Sequence, residues 1–181
     1  MSQMKQMRRR HRGGINNNRN AIDMGQCSEE GDFPKPSEMS TDLPKNIIAT
    51  LDIALADERL ALATYQYIIE RFGPVRPFLN IAKAEQRHIN ALLNIYEAYG
   101  IALPDDETTI DPAIETADLR SLCKKGVEGE AENIRLYDEQ LLPAVSAYPH
   151  IEGVLRNLRD ASALRHKPAF ERCVRRPTQN Q

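Results

Sequence analysis

The sequence has no long apolar run and few cysteines. No stretch of 18 or more apolar residues occurs among its 181 residues, and no apolar signal-peptide core follows the basic N-terminus. Cys27, Cys123 and Cys173 lie far apart and show no CxxC spacing. These absences argue against a transmembrane helix, a disulfide framework, a thiolate zinc site and an iron–sulfur module. We therefore expect a cytoplasmic protein, not associated with a membrane, whose cysteines are reduced.

Charge is nearly balanced over the whole chain but not along it. Charged residues make up 28% and the formal net charge is -2, so the overall charge does not indicate a binding partner. Residues 1–22, however, contain six Lys or Arg and no acid. Such a segment could contact nucleic acid, but its Arg, Asn, Gly, Ser and Pro content without periodicity is more typical of a solvated tail. We predict that residues 1–41 form a disordered basic and polar tail.

Apolar residues at helical spacing follow the tail. They predict a first helix from near Asp42 to Phe72 and, after a short link, a second helix over 78–99 that is capped by Gly100 and folds back antiparallel. The irregular segment 101–117 comes next. Seventeen extended residues span roughly 55 Å, more than the approximately 33 Å of a 22-residue helix, so this segment can cross a bundle. We expect helix three to start at the same end as helix one.

Two further helices complete the predicted fold. Helix three is expected over 118–146 with a bend at Pro143, and helix four over 151–174 with a distortion at Pro168. The sequence thus predicts an all-α, four-helix bundle over residues 42–174, made of two antiparallel hairpins joined by a long crossover. Residues 175–181 are expected to form a C-terminal tail.

Each predicted helix carries a polar interruption in its apolar stripe. Glu58 lies in helix one, Glu85 and His88 in helix two, Glu130 in helix three and His166 in helix four. Glu85 and His88 are three residues apart and point the same way. Burying a carboxylate without a partner costs several kcal/mol, so such groups need a metal ion or a hydrogen-bonded counter-group. A four-helix bundle would bring these interruptions to a common level.

The two hairpins also repeat one another. Tyr65 follows Glu58 by seven residues, and Tyr137 follows Glu130 by the same interval. The second helix of each hairpin carries a histidine. We expect both tyrosines to lie in the core and to hydrogen-bond a carboxylate.

These motifs resemble the ferritin-like superfamily, in particular rubrerythrin-type proteins and an uncharacterised prokaryotic ferritin-like domain group of unknown function. The resemblance covers residues 42–174 and is carried by Asp57-Glu58 with Tyr65, Phe78-Leu79-Asn80-Ile81-Ala82 leading into Ala84-Glu85-Gln86-Arg87-His88, Glu130, and the segment from Asn157 to Phe170. It implies that five residues are metal ligands, namely Glu58, Glu85, His88, Glu130 and His166. It implies iron, with manganese possible, and chemistry with oxygen or peroxide.

The sequence departs from that pattern at Ala163. A second Glu-x-x-His motif would need Glu at this position. Two arrangements therefore stay open: Glu85 bridges two metals, each completed by ligands from one hairpin, or only the site of the first hairpin fills. The other histidines, His11 and His150, are not expected to take part.

Two hypotheses of function follow. In the first, the protein is a ferritin-like non-haem metal-carboxylate protein that binds iron or manganese and oxidises Fe(II) or reduces oxygen or peroxide. It would then be an enzyme of ferroxidase or peroxidase type. An external electron donor would then be required, because no iron–sulfur module is evident. In the second, the protein is a helical scaffold or interaction protein whose metal site is degenerate or structural. A homodimer is possible in either case.

Overall fold

The computed structural model describes residues 43–176, and within this range the chain is helical and contains no strand. The chain forms four long helices, which are α1 (Lys45–Phe72), α2 (Phe78–Tyr99), α3 (119–144) and α4 (149–175). The predicted all-α architecture with four helices is confirmed. None of the described helices is both long and apolar enough to cross a membrane. The tail predicted for residues 1–41 lies outside the described residues, and the predicted domain boundaries stay a prediction.

The ends of α1 and α2 follow from local sequence. α1 begins at Lys45 with Pro44 in the N-cap position, whereas the predicted cap, Asp42, lies outside the described residues. α2 spans the predicted residues and ends at Gly100, whose φ of 63° is left-handed. Glycine adopts this conformation without the steric cost that a Cβ atom adds, and the turn lets the N–H of Ile101 bond the carbonyl of Tyr96 at 2.9 Å.

The connection between α2 and α3 runs along α1 and contains one 3₁₀ turn, Pro112–Ile114. Arg59 Nη1 donates to the carbonyl of Pro104 at 3.3 Å. Farther along α1, Arg71 Nη1 donates to the carbonyl of Ala117 at 2.8 Å. α3 therefore begins beside the end of α1 and runs antiparallel to it. The expectation that helices one and three start at the same end was wrong. α2 ends beside the start of α1, and the crossover then leads to the opposite end of the bundle, where α3 begins.

α3 and α4 each contain one π-helical turn, Tyr137–Leu141 in α3 and Ser162–His166 in α4. Each π turn ends shortly before a proline, Pro143 or Pro168. Proline lacks an N–H donor and crowds the carbonyl four residues earlier, so a wider turn before it relieves the conflict. The distortion predicted at these prolines thus lies in the preceding turn.

Two apolar clusters occupy the described core, and the polar interruptions lie between them along each helix. The first cluster includes Leu51, Leu55, Leu92, Ile95, Leu141 and Leu155. The second cluster includes Tyr65, Ile68, Phe78, Leu122, Cys123 and Phe170. Because every helix passes from one cluster to the other, its polar residue reaches the same middle layer.

A disulfide joins the start of α3 to the end of α4. Cys123 and Cys173 are bonded, with their Cα atoms 6.0 Å apart. Beside the bridge, a Cβ atom on Gly126 would lie only 2.7 Å from the ring of Phe170, so glycine permits this close approach of α3 and α4. The expectation that these two cysteines are reduced thiols was wrong, because their separation of 50 residues in sequence conceals their proximity in the hairpin.

Candidate metal centre

The four helices bring all five predicted ligands into one buried layer. Glu58, Glu85, Glu130 and His166 are each between 2% and 4% exposed. The side chain of His88 is 14% exposed and lies nearest to solvent. Carboxylates at this depth are stable only when charged or hydrogen-bonding partners surround them. The contacts within the layer supply those partners.

Glu85 lies at the middle of the cluster, and each of its carboxylate oxygens faces a different histidine. Its Oε2 is 2.8 Å from His88 Nδ1, one helical turn away on α2. Its Oε1 is 3.2 Å from Nδ1 of His166 on α4. The two imidazole rings are stacked with their centroids 5.6 Å apart. One carboxylate thus connects both hairpins.

Two overlapping groups of donor atoms result. In the first group, His88 Nδ1 also lies 3.0 Å from Glu58 Oε2. In the second, His166 Nδ1 lies 3.6 Å from Glu130 Oε2. Within each group of three residues, one ligand atom from each lies within 4.8 Å of the others, and Glu85 belongs to both groups. Each group could hold a metal ion. The geometry admits both arrangements that the sequence left open, and whether one group or both bind a metal stays a prediction.

The two tyrosines cross between the antiparallel helices α1 and α3. Tyr137 donates its hydroxyl hydrogen to Glu58 Oε1 at 2.8 Å, and Tyr65 donates to Glu130 Oε1 at 2.9 Å. Equal spacing on two antiparallel helices makes these contacts reciprocal. Burial next to the glutamates raises the pKa of both tyrosines well above the usual range, so both remain donors. The expectation that they bond carboxylates in the core is confirmed.

Burial and mutual contact shift the pKa values of the acids and imidazoles. Burial lowers the pKa of an imidazole, but neighbouring carboxylates raise that of His88 to about 10 and that of His166 to about 9. Burial raises the pKa of Glu58 to about 8. It acts in the same direction on Glu85, but the two imidazoles outweigh it and lower the pKa to about 2. Glu85 is therefore the anion shared by two protonated imidazoles.

His166 carries a buried nitrogen atom that no hydrogen bond from the described residues satisfies. Its Nδ1 is buried and makes no hydrogen bond within residues 43–176, although it faces oxygens of Glu85 and Glu130. Buried polar atoms are normally satisfied, and each exception needs an explanation. A metal ion shared by this nitrogen and the two carboxylates would satisfy all three groups, so the residues present fit a metal.

Asp57 and Asn133 form a second polar pair beside the cluster. Asn133 donates its amide hydrogen to Asp57, while its own Oδ1 is buried without a hydrogen-bond partner. Burial raises the pKa of Asp57 to about 6. Sequence analysis assigned neither residue to the site. Their positions, immediately before Glu58 and three residues after Glu130, were the signal that could have identified them.

The remaining candidate positions lie apart from the cluster or outside the described range. His150 is exposed in the first turn of α4. His11 lies outside the described residues. Ala163 supplies no ligand, and the buried residues of this π turn are Ser162 and His166. α4 therefore contributes only His166 to the two groups.

The fold and the cluster define a helical protein with a buried carboxylate–imidazole centre that could hold metal ions. Comparison of the sequence with family models assigns the chain to a family. The chain belongs to the family described as Uncharacterized protein domain (DUF2202), whose model matches residues 49–172. This match includes all five residues of the centre. No curated protein and no solved structure matches the chain significantly.

Proposed function

We propose that this chain is a ferritin-like metal-carboxylate protein that binds iron, with manganese as the alternative, and that it oxidises Fe(II) or reduces oxygen or peroxide. The observation that supports this proposal is the position of Glu85, whose two oxygens face His88 at 2.8 Å and His166 at 3.2 Å. With Glu58 and Glu130, this arrangement gives two three-residue groups that share one carboxylate. A buried carboxylate shared in this way suits two adjacent metal ions.

The donor atoms favour iron and manganese. Carboxylate oxygens and imidazole nitrogens suit these ions, whereas thiolates would favour softer metals. The described cysteines are joined in a disulfide and are therefore not thiolate ligands. Bound iron would supply the redox chemistry with oxygen or peroxide. The protein residues would hold the metal, and Tyr65 and Tyr137 would orient the carboxylates that they contact.

The proposal has two further parts, the source of electrons for turnover and the cellular compartment of the protein. The two described cysteines form a disulfide and offer no thiolate ligands to an iron–sulfur cluster, so repeated turnover would need an external electron donor. The sequence favours the cytoplasm, whereas the bridge between Cys123 and Cys173 is typical of an oxidising compartment. Fractionation of cells that produce the full chain, with thiol alkylation at lysis, would decide between these two locations.

A second function, a helical scaffold with a degenerate or structural site, is favoured by one observation. Tyr137 and His88 satisfy Glu58, and Tyr65 satisfies one oxygen of Glu130, without any added group. On this alternative, Glu58→Leu or Glu130→Leu would raise the melting temperature without loss of any activity. On the metal-binding proposal, either change removes a ligand and lowers metal content.

The deciding experiment is metal analysis of the full chain purified without oxygen, followed by Fe(II) addition and measurement of oxygen uptake. We expect up to two bound metal ions per chain, since there are two groups of donors. Uptake should exceed that of Fe(II) in buffer. Absence of bound metal, together with uptake equal to buffer, would reject the proposal.

A further inference from the structure

A cavity of about 200 Å³ lies between α1 and α3 and ends at the carboxylate cluster. Its lining includes the exposed residues Leu60, Lys125 and Gly129. It also includes the buried glutamates of the centre. The cavity therefore connects the protein surface to the candidate metal centre, and Leu60, Lys125 and Gly129 form its mouth.

Apolar side chains form much of the remaining lining. They include Ala61, Ile68, Phe78, Ile114 and Leu122. A dry apolar cavity of about 150 Å³ is large enough to bind benzene. The cavity described here is larger, so it exceeds what oxygen, peroxide or a metal ion needs. Its walls suit an organic molecule that is at least the size of benzene.

The charges around the cavity disfavour an anionic ligand. Four carboxyl groups line its inner end and outnumber the two imidazoles that contact them, so acidic groups are in excess there and disfavour an anion. The cation at the mouth, Lys125, lies 3.0 Å from Asp111 and is partly neutralised by it. The same carboxyl groups offer hydrogen-bond acceptors to a ligand. The lining thus suits a neutral ligand that carries one donor group.

We propose that this cavity binds a neutral, mainly apolar organic molecule with a single hydroxyl donor, placed beside the metal centre. Its interpretation as the substrate site rests on the proposed function, whereas binding itself does not. A ligand held there would lie against Glu58, Glu85 and Glu130, and its donor could bond one of these carboxyl groups. The proposal extends the proposed chemistry from oxygen and peroxide to an organic substrate class.

Phenol is a suitable probe, with benzoate as its anionic counterpart. Binding to the metal-free full chain would be measured by calorimetry and by thermal unfolding. At a phenol concentration ten times its Kd, the unfolding equilibrium constant should fall about eleven-fold. Benzoate should bind at least about tenfold more weakly, given the carboxylates at the inner end. Absence of phenol binding would overturn the site, and equal binding of benzoate would overturn its preference for neutral ligands.

Two glycines provide a matched pair of variants. Gly129 and Gly153 are both exposed helical glycines, and a Cβ atom on either would meet nothing within 4 Å. Of these two glycines, only Gly129 lines the cavity. Gly129→Leu should weaken phenol binding at least about tenfold by covering the mouth, while Gly153→Leu should leave it unchanged. If neither Gly129→Leu nor the interior variant Ala61→Leu weakens binding, the cavity is not the site.

Metal analysis of the same proteins separates this inference from the proposed function. Gly129→Leu leaves the five candidate ligands in place and should retain the metal content of the wild type. Phenol binding by a chain that takes up no metal would support the cavity and reject the metal-dependent function. Metal uptake by a chain that does not bind phenol would do the reverse.

Discussion

Replacing Glu85 by Gln tests whether a single carboxylate serves both groups of donors. Gln keeps the shape of the side chain but removes its charge, so the substitution leaves no large cavity. Because Glu85 belongs to both groups, each group would fall from three candidate ligands to two. Glu58 belongs to one group only. We therefore expect Glu85→Gln to remove both bound metals and Glu58→Gln to remove one.

The expected loss in affinity is large. Removing a partner that only orients a ligand typically weakens metal binding roughly 10–100-fold. Loss of a direct ligand shared by two metals should exceed that range. The measurement is Fe(II) titration without oxygen, with bound iron counted by elemental analysis and folding checked by circular dichroism. Glu97→Gln is the control, because Glu97 is exposed on the same helix.

Two results would refute the reasoning. Glu85→Gln that retains two metals would show that the carboxylate does not ligate. Equal losses from Glu85→Gln and Glu58→Gln would show that the groups do not share Glu85 in the way its distances to His88 and His166 indicate. A loss of metal in Glu97→Gln would point to a general effect of charge.

Three further outcomes are expected. Tyr137→Phe should lower the free energy of unfolding by roughly 1–3 kcal/mol, because a buried hydrogen bond of 2.8 Å to Glu58 is lost, whereas Tyr67→Phe, a partly buried control, should change little in thermal melts. Metal binding at pH 7 should release more than one proton, and metal affinity should rise with pH, because the pKa values of the site histidines, about 10 and about 9, keep both protonated. An indicator dye that detects no proton release would contradict this. Reducing the disulfide, whose cysteines are 50 residues apart, should cost roughly 2–4 kcal/mol and add two titratable thiols, and an unchanged denaturation midpoint would argue against it.

Much of the fold was accessible from local patterns. The bounds of α2 were predicted because apolar periodicity ends at Gly100, where only a left-handed residue closes the helix well. The direction of α3 was predicted wrongly, because it depends on the end of the bundle at which α2 finishes and the crossover begins. The π turns were anticipated only as distortions at Pro143 and Pro168, because sequence shows the conflict with proline but not the turn that relieves it.

The site was predictable to the extent that it repeats within the chain. Glu58 and Glu130, with a tyrosine seven residues after each, marked equivalent levels on two helices, and the structure places them in one layer. The polar pair Asp57 and Asn133 depends on a contact across 76 residues, which no local spacing reveals. Whether the assembled residues bind metal stays a prediction for the titrations above.

The centre is nearly symmetric, and the position where symmetry fails explains both its dependence on Glu85 and the space beside it. The crossed contacts of Tyr65 and Tyr137 are equivalent, but the carboxylate between the histidines comes from α2 alone. On α4 the matching residue is Ala163, and the π turn places the small side chain of Ser162 on the cavity wall. A glutamate from α4 would fill part of the middle layer. Its absence leaves Glu85 as the residue common to both donor groups and leaves the cavity beside them.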